Sequence, residues 1–115
     1  MANARRGEIS IDLGGAPRRL CLTLGALAEL EDAFACGDLI ALAERFQSGR
    51  LSARDIVKII GCGLRGAGEN LRDEDVARMQ GPEGLGGFVR AAADLIAATF
   101  GEAAPPARPP GPQGA

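Results

Sequence analysis

Two short alternating segments joined by a glycine pair, running straight into a helical pattern, constrain this chain more than any other feature. Glu8 to Leu13 reads E-I-S-I-D-L, with Ile9, Ile11 and Leu13 set against Glu8, Ser10 and Asp12. After Gly14-Gly15-Ala16-Pro17, Arg18 to Leu24 reads R-R-L-C-L-T-L, with Leu20, Leu22 and Leu24 set against Arg19, Cys21 and Thr23. Period-two alternation on both sides of a Gly-Gly turn predicts a half-buried antiparallel hairpin over residues 7–24. The period then changes, because Leu24, Leu27, Leu30 and Phe34 recur at helical spacing. A two-stranded hairpin is marginal by itself and needs helices over its apolar face. The expectation is one α+β domain: an N-terminal antiparallel β-hairpin packed on a bundle of four to five short helices.

Local signals divide the rest of the chain. Thr23 caps a helix over 24–35 that Gly37 ends, and Asp38 opens a second over 38–48, closed by Ser48-Gly49. Ser52 and Asp55 have capping-box spacing and start a third over 53–65, with Ile56, Ile59, Ile60, Gly63 and Leu64 on one face. Asp73 is placed to cap a fourth over 73–80, with Glu74 and Asp75 at the positive end of its dipole and Gly81-Pro82 as its stop. The fifth, over 84–100, is the best patterned: Leu85, Phe88, Val89, Ala92, Leu95, Ile96, Thr99 and Phe100 recur at steps of three and four. It is expected to be central to stability, with Gly101 as its C-terminal cap. The domain spans 7–101, residues 1–6 are expected to be a flexible N-terminus, and the proline-rich 102–115 a disordered tail.

Composition narrows the function classes. The 115 residues carry a net charge of −2, which sets no attraction to nucleic acid or to an anionic membrane. With no basic recognition helix either, a small helical DNA-binding regulator is disfavoured. The opening M-A-N-A-R-R-G has no apolar stretch and no run is long enough to span a bilayer, so the chain reads as cytoplasmic. Cys21, Cys36 and Cys62 form no C-x-x-C pair and read as buried free thiols rather than zinc ligands. The chain has no histidine, which removes Ser-His-Asp and Cys-His arrangements, the commonest metal ligand and the usual neutral-pH base. No catalytic, cofactor-binding or metal-ligating residue is assigned, and the expectation is a protein that is not an enzyme.

Two motifs have a chemical reading. Gly61-Cys62-Gly63-Leu64-Arg65-Gly66 matches G-x-G-x-x-G after the β-branched run Ile56 to Ile60, as in a dinucleotide-binding turn. The residues that follow, A-G-E-N-L-R-D-E-D, offer no helix to hold a pyrophosphate, and Ser52 and Asp55 upstream favour helix through the motif. The glycines therefore read as close-packing positions near the end of the third helix. Glu29, Glu31 and Asp32 cluster toward the C-terminus of the first helix, where carboxylates oppose the macrodipole. A solvated acidic face balanced by arginines of the hairpin or by another helix explains them. A partner contact formed by Glu29, Glu31, Asp32 and neighbouring Phe34 is the functional alternative.

The succession G-E-I-S-I-D-L-G-G, R-R-L-C-L-T-L-G-A-L-A-E-L-E-D, L-S-A-R-D-I-V-K-I-I-G-C-G-L-R-G-A-G and D-E-D-V resembles the small tail-assembly proteins of gene transfer agents and siphophage-like elements. The resemblance covers roughly residues 4–100 and is most specific over Thr23 to Asp32 and Gly63 to Gly68. It implies a non-enzymatic tail assembly chaperone, needing no cofactor, that binds the tape measure protein and, as a further partner, tail tube subunits. The family is also described as tail tube protein, so a structural tail component is the alternative, with a regulatory or nucleotide-binding protein remote. Self-association is compatible with either tail reading.

Overall fold

The computed structural model describes residues 7–80 and 84–101. The expected N-terminal segment 1–6, the Gly81-Pro82 break and the tail 102–115 lie outside these residues. Among the described residues the order is β1 (Glu8–Leu13), β2 (Ala16–Cys21), α1 (Leu24–Ala33), α2 (Leu39–Gln47), α3 (Ala53–Gly66), α4 (Asp73–Ala77) and α5 (Gly84–Phe100). This is the hairpin-on-helices α+β fold that the pattern predicts.

The hairpin closes through Gly14 and Gly15, both at positive φ (63° and 83°), with Leu13 paired to Ala16. Two left-handed residues make a two-residue turn whose twist matches that of the strands. The register sets Ile9 opposite Leu20 and Ile11 opposite Arg18, so these residues share the covered face while Ser10, Asp12, Pro17 and Arg19 face solvent. Arg18 avoids desolvation by reaching out of that face to the Leu13 carbonyl (3.0 Å) and to Glu69 (3.2 Å).

Each helix start has its local cause. The Thr23 hydroxyl accepts from Ala26 N–H (3.1 Å) and the Asp38 carboxylate from Ala41 N–H (2.8 Å). Ser52 and Asp55 form a reciprocal capping box (3.1 and 2.9 Å). Asp73 is not a cap. Arg72 occupies that position, its N–H donates to the Asp75 carboxylate (2.9 Å), and Asp73 turns toward α3. The stop of α1 also differs from the expected Gly37: Ala35 takes the left-handed conformation (φ 56°) and Cys36 N–H donates back to the Glu31 carbonyl (2.9 Å). This is a Schellman-type end with alanine where glycine is usual.

The core is organised around α3, which packs against β2, α1, α5 and α4. Seven of its residues are buried, from Ile56 through Leu64. Leu13, Leu20, Leu22, Leu27, Leu30, Leu42 and Leu95 close on it from the hairpin and the other helices. Two expectations about burial fail. Leu24 is 78% exposed, because the strand ends at Cys21 and Thr23 starts a helix that turns Leu24 outward. In α5 only Ala91, Ala92 and Leu95 are buried, while Leu85 is 71% and Val89 47% exposed. That helix is an outer layer with one covered face, so the central position belongs to α3.

Three glycines of α3 set the packing distance. A Cβ at Gly66 would overlap the backbone carbonyl of Cys21 in the hairpin. One at Gly63 would lie 2.6 Å from a methyl of Leu95 in α5, and one at Gly61 would overlap the Asp73 carboxylate. An exposed helical glycine gains about 0.5–1 kcal/mol on replacement by alanine. At Gly66 the sign reverses, because backbone cannot step aside as a side chain can. In chemical denaturation Gly66→Ala is expected to destabilise by about 1–3 kcal/mol, whereas Gly86→Ala, which meets open space, is neutral or stabilising. Ala35→Gly relieves the left-handed strain and is expected to stabilise by about 0.5–1 kcal/mol on the same measurement.

Candidate functional site

The G-x-G-x-x-G segment lies wholly within α3, with Gly61, Cys62, Gly63 and Leu64 buried. A phosphate cradle needs the glycines in a loop with free N–H groups ahead of a helix. Here the same residues lie at the far end of one, their Cα surfaces covered by the hairpin, Leu95 and Asp73. The close-packing reading is the correct one.

Charged residues converge where α1, α3 and α4 meet. Lys58 Nζ lies 2.7 Å from Asp73 Oδ2 and 3.3 Å from Glu29 Oε2. Arg65 closes the ring, with Nη2 2.7 Å from the same Glu29 oxygen and Nη1 3.0 Å from Asp73 Oδ1. Arg65 also donates to the Leu71 carbonyl (3.0 Å), tying the α3–α4 connection. Lys58 and Arg65 are seven positions apart, two helical turns, which puts both on one face of α3. Partial burial pushes the Asp73 carboxyl up, but hydrogen bonds from Lys58 and Arg65 outweigh it and hold the group below the usual carboxylate range. Lys58 is raised, chiefly by its bond to Asp73. Beneath the ring the Cys62 thiol is pushed up to about 12, first by burial and then by Glu29, so it stays protonated and is no nucleophile at neutral pH. Cys21 and Cys36 are only half-buried, contrary to the buried expectation for all three.

These four side chains satisfy one another. The ring is a clasp that draws α1 and α4 onto α3. Among the described residues no group of three or more His, Cys, Asp or Glu is arranged to hold a metal ion.

Of the four proposed contact residues, three stay together and Phe34 does not. Glu29, Glu31 and Asp32 line one shallow hollow with Ala35, Cys36 and Gly37. Glu29 is engaged in the clasp, so the compensating charge comes from α3 and not from the hairpin arginines. Phe34 lies outside the hollow. It is half-buried, edge-on to Phe46 with ring centroids 5.3 Å apart, and the Arg45 guanidinium sits over its ring at 5.3 Å.

What the sequence reading missed is the apolar surface beside α5. On one side a groove of 450 Å³ is walled by Phe46, Leu51 and Ile56 and by Val89, Ile96 and Phe100. On the other, a groove of 460 Å³ runs between Ile56, Ile60, Val76 and Met79 and Leu85 and Phe88. The signal was present: apolar residues of α5 occupy more of its circumference than one neighbour can cover. Both volumes lie in the range that accepts bulky side chains or a small ligand. No helix among the described residues is long and apolar enough to cross a membrane.

Four charges thus close on one another where α1, α3 and α4 meet, and apolar grooves flank α5. Residues 6–102 match the family described as phage tail tube protein, GTA-gp10, and the chain belongs to that family. This agrees with the resemblance to gene transfer agent tail proteins and carries nothing about a tape measure protein. No curated protein and no solved structure matches the chain.

The clasp makes stability depend on pH in two windows. The Asp73 contribution is fully present above its unfolded value near 3.8 and is lost as pH falls through the depressed folded value. The Lys58 contribution is fully present below 10.5 and is lost as pH rises through its raised folded value. Asp73→Asn is expected to lower stability by about 1 kcal/mol at neutral pH, a modest figure because the partners are partly solvated. Thermal melts of the variant should also fall less between neutral pH and pH ~3 than those of the parent.

Proposed function

We propose that the chain is a non-enzymatic protein of gene-transfer-agent tail morphogenesis and that it acts by binding other tail proteins. The observation that carries this reading is the family match over residues 6–102. The family's description, tail tube protein, supports a structural component of the tube better than a tape measure chaperone, so the structural reading stands first. Its partners are then neighbouring tail subunits.

A second reading, the assembly chaperone, is supported by a specific feature of the fold. Two apolar grooves flank α5, and an amphipathic helix presents side chains at the spacing that such grooves accept. Among the described residues the sheet has only two strands, little β-surface from which to build a stacked ring. On this reading the partner is the long helical tape measure protein, held soluble while the tube grows around it.

Quantitative mass spectrometry of purified particles separates the two. A tube component is expected at many copies per particle, in constant ratio to other tube subunits. A chaperone is expected to be absent from finished particles, and the tape measure protein should become insoluble when expressed without it. Particles of normal yield and tail length from a deletion strain, with the chain absent from wild-type particles, would defeat both readings.

A further inference from the structure

The C-terminal end of α5 delivers the rest of the chain to the rim of an apolar groove. Val89, Ile96, Phe100 and Gly101 form one wall of that groove, and Phe46 and Leu51 face them. Val89 is 47% exposed, Ile96 and Phe100 are half-buried, and the rings of Phe46 and Phe100 stand 6.1 Å apart between centroids. Gly101 is the last of the described residues, and a Cβ there would overlap the Ala97 carbonyl, so the chain leaves the helix where glycine is required. The sequence that follows, 102–115, is rich in proline, and Pro106, Pro109 and Pro112 recur at every third position. A polyproline II helix has three residues per turn, which puts these three rings on one edge. Six positions at about 3.1 Å each set the first and last of them about 19 Å apart. The groove wall from Val89 to Gly101 covers twelve helical positions, about 18 Å.

We propose that this groove is the docking site of the chain's own C-terminal segment, with Pro106, Pro109 and Pro112 seated between Phe46 and the wall of α5. The segment runs antiparallel to α5. Glu102 to Pro105 reverse the chain, Pro106 lies at the Phe100 end and Pro112 at the Val89 end. Proline-rich segments suit aromatic-lined grooves because their extended form is already set, so docking loses little conformational entropy. Continuity selects this occupant over another chain. The segment leaves from a residue that itself lines the groove, and so short a tether holds it there at high effective concentration. The groove beside Leu85 and Phe88 is left for other proteins. The inference rests on neither tail reading and survives the failure of both.

Nuclear magnetic resonance on the isotope-labelled full chain tests it. Backbone order parameters at Ala107 and Arg108 are expected at about 0.85, as in rigid backbone, with Gln113 to Ala115 below about 0.6. Cross-peaks are expected between the rings of Pro106 and Pro109 and those of Phe46 and Phe100, unchanged on dilution. Ala93→Lys, at an exposed position on the groove wall, is expected to abolish the cross-peaks and drop both order parameters below about 0.6. Unchanged helical circular dichroism shows that the variant still folds. Pro106→Ser with Pro109→Ser is expected to do the same without touching the domain. Pro105→Ser with Pro110→Ser, on the other two edges, is expected to keep the contact. Order parameters below about 0.6 at Ala107 and Arg108 in the parent overturn the proposal. So do cross-peaks that fade on dilution, which would put the segment in a second copy's groove, or equal losses from the two proline pairs, which would mean that no one edge faces the groove.

Discussion

The structure depends on how closely other elements approach the C-terminal half of α3. Gly61, Gly63 and Gly66 lie along that half, and each has a different neighbour at a distance that leaves no room for a methyl group: the Asp73 carboxylate, Leu95 of α5 and the Cys21 carbonyl of the hairpin. Glycine inside a helix is intrinsically unfavourable by roughly 0.5–1 kcal/mol relative to alanine. Three occur within one helical end because each admits a neighbour that a side chain would exclude: α4 at Gly61, α5 at Gly63 and the hairpin at Gly66. The same close approach explains why a chain with 3% aromatic residues packs well, since short contact distances suit Leu, Ile and Ala.

Packing and electrostatics are coupled at Gly61. Asp73 can lie across α3 to meet Lys58 and Arg65 only because residue 61 has no side chain there. The clasp is therefore a consequence of the glycine face and not a separate device. Its charges are partly solvated and their individual contributions modest, yet they fix where α4 sits. The α4 helix, five residues long, is too short to hold itself by backbone bonding alone. Val76 is its one buried residue, so the ion ring carries much of its docking.

Legibility in the sequence followed the range of the interaction. The Gly14-Gly15 turn, the Thr23 and Asp38 caps and the Ser52–Asp55 box are settled by residues within a few positions of one another, and each was readable. The G-x-G-x-x-G segment could be assigned to a helix because its capping signals lie upstream on the same helix. Three features were not readable because their causes lie far away in sequence. The exposure of Leu24 depends on where the hairpin ends against α3. The use of Ala35 as the left-handed stop depends on the path needed to bring α2 back beside Phe34, which a glycine two residues later only suggested. The pairing of Glu29 with α3 required Lys58 and Arg65, 29 and 36 positions away.

The two sides of α5 bring these threads together. A periodic helix implies that every apolar position has a partner, but periodicity counts positions and not the layers available to cover them. Around α3 the hairpin, α1 and α4 already take most of the circumference, so α5 meets the core along Ala91, Ala92 and Leu95 and leaves Leu85 and Val89 outside. A chain of this size exposes a large fraction of its apolar surface in any arrangement. Scattered exposure would need no explanation. Here the apolar residues line concave grooves on both flanks of one helix, where a side chain from another protein gains contact on several sides at once. The grooves follow from how α3 admits α5: Gly63 lets Leu95 close on it, and the flanks of α5 stay open.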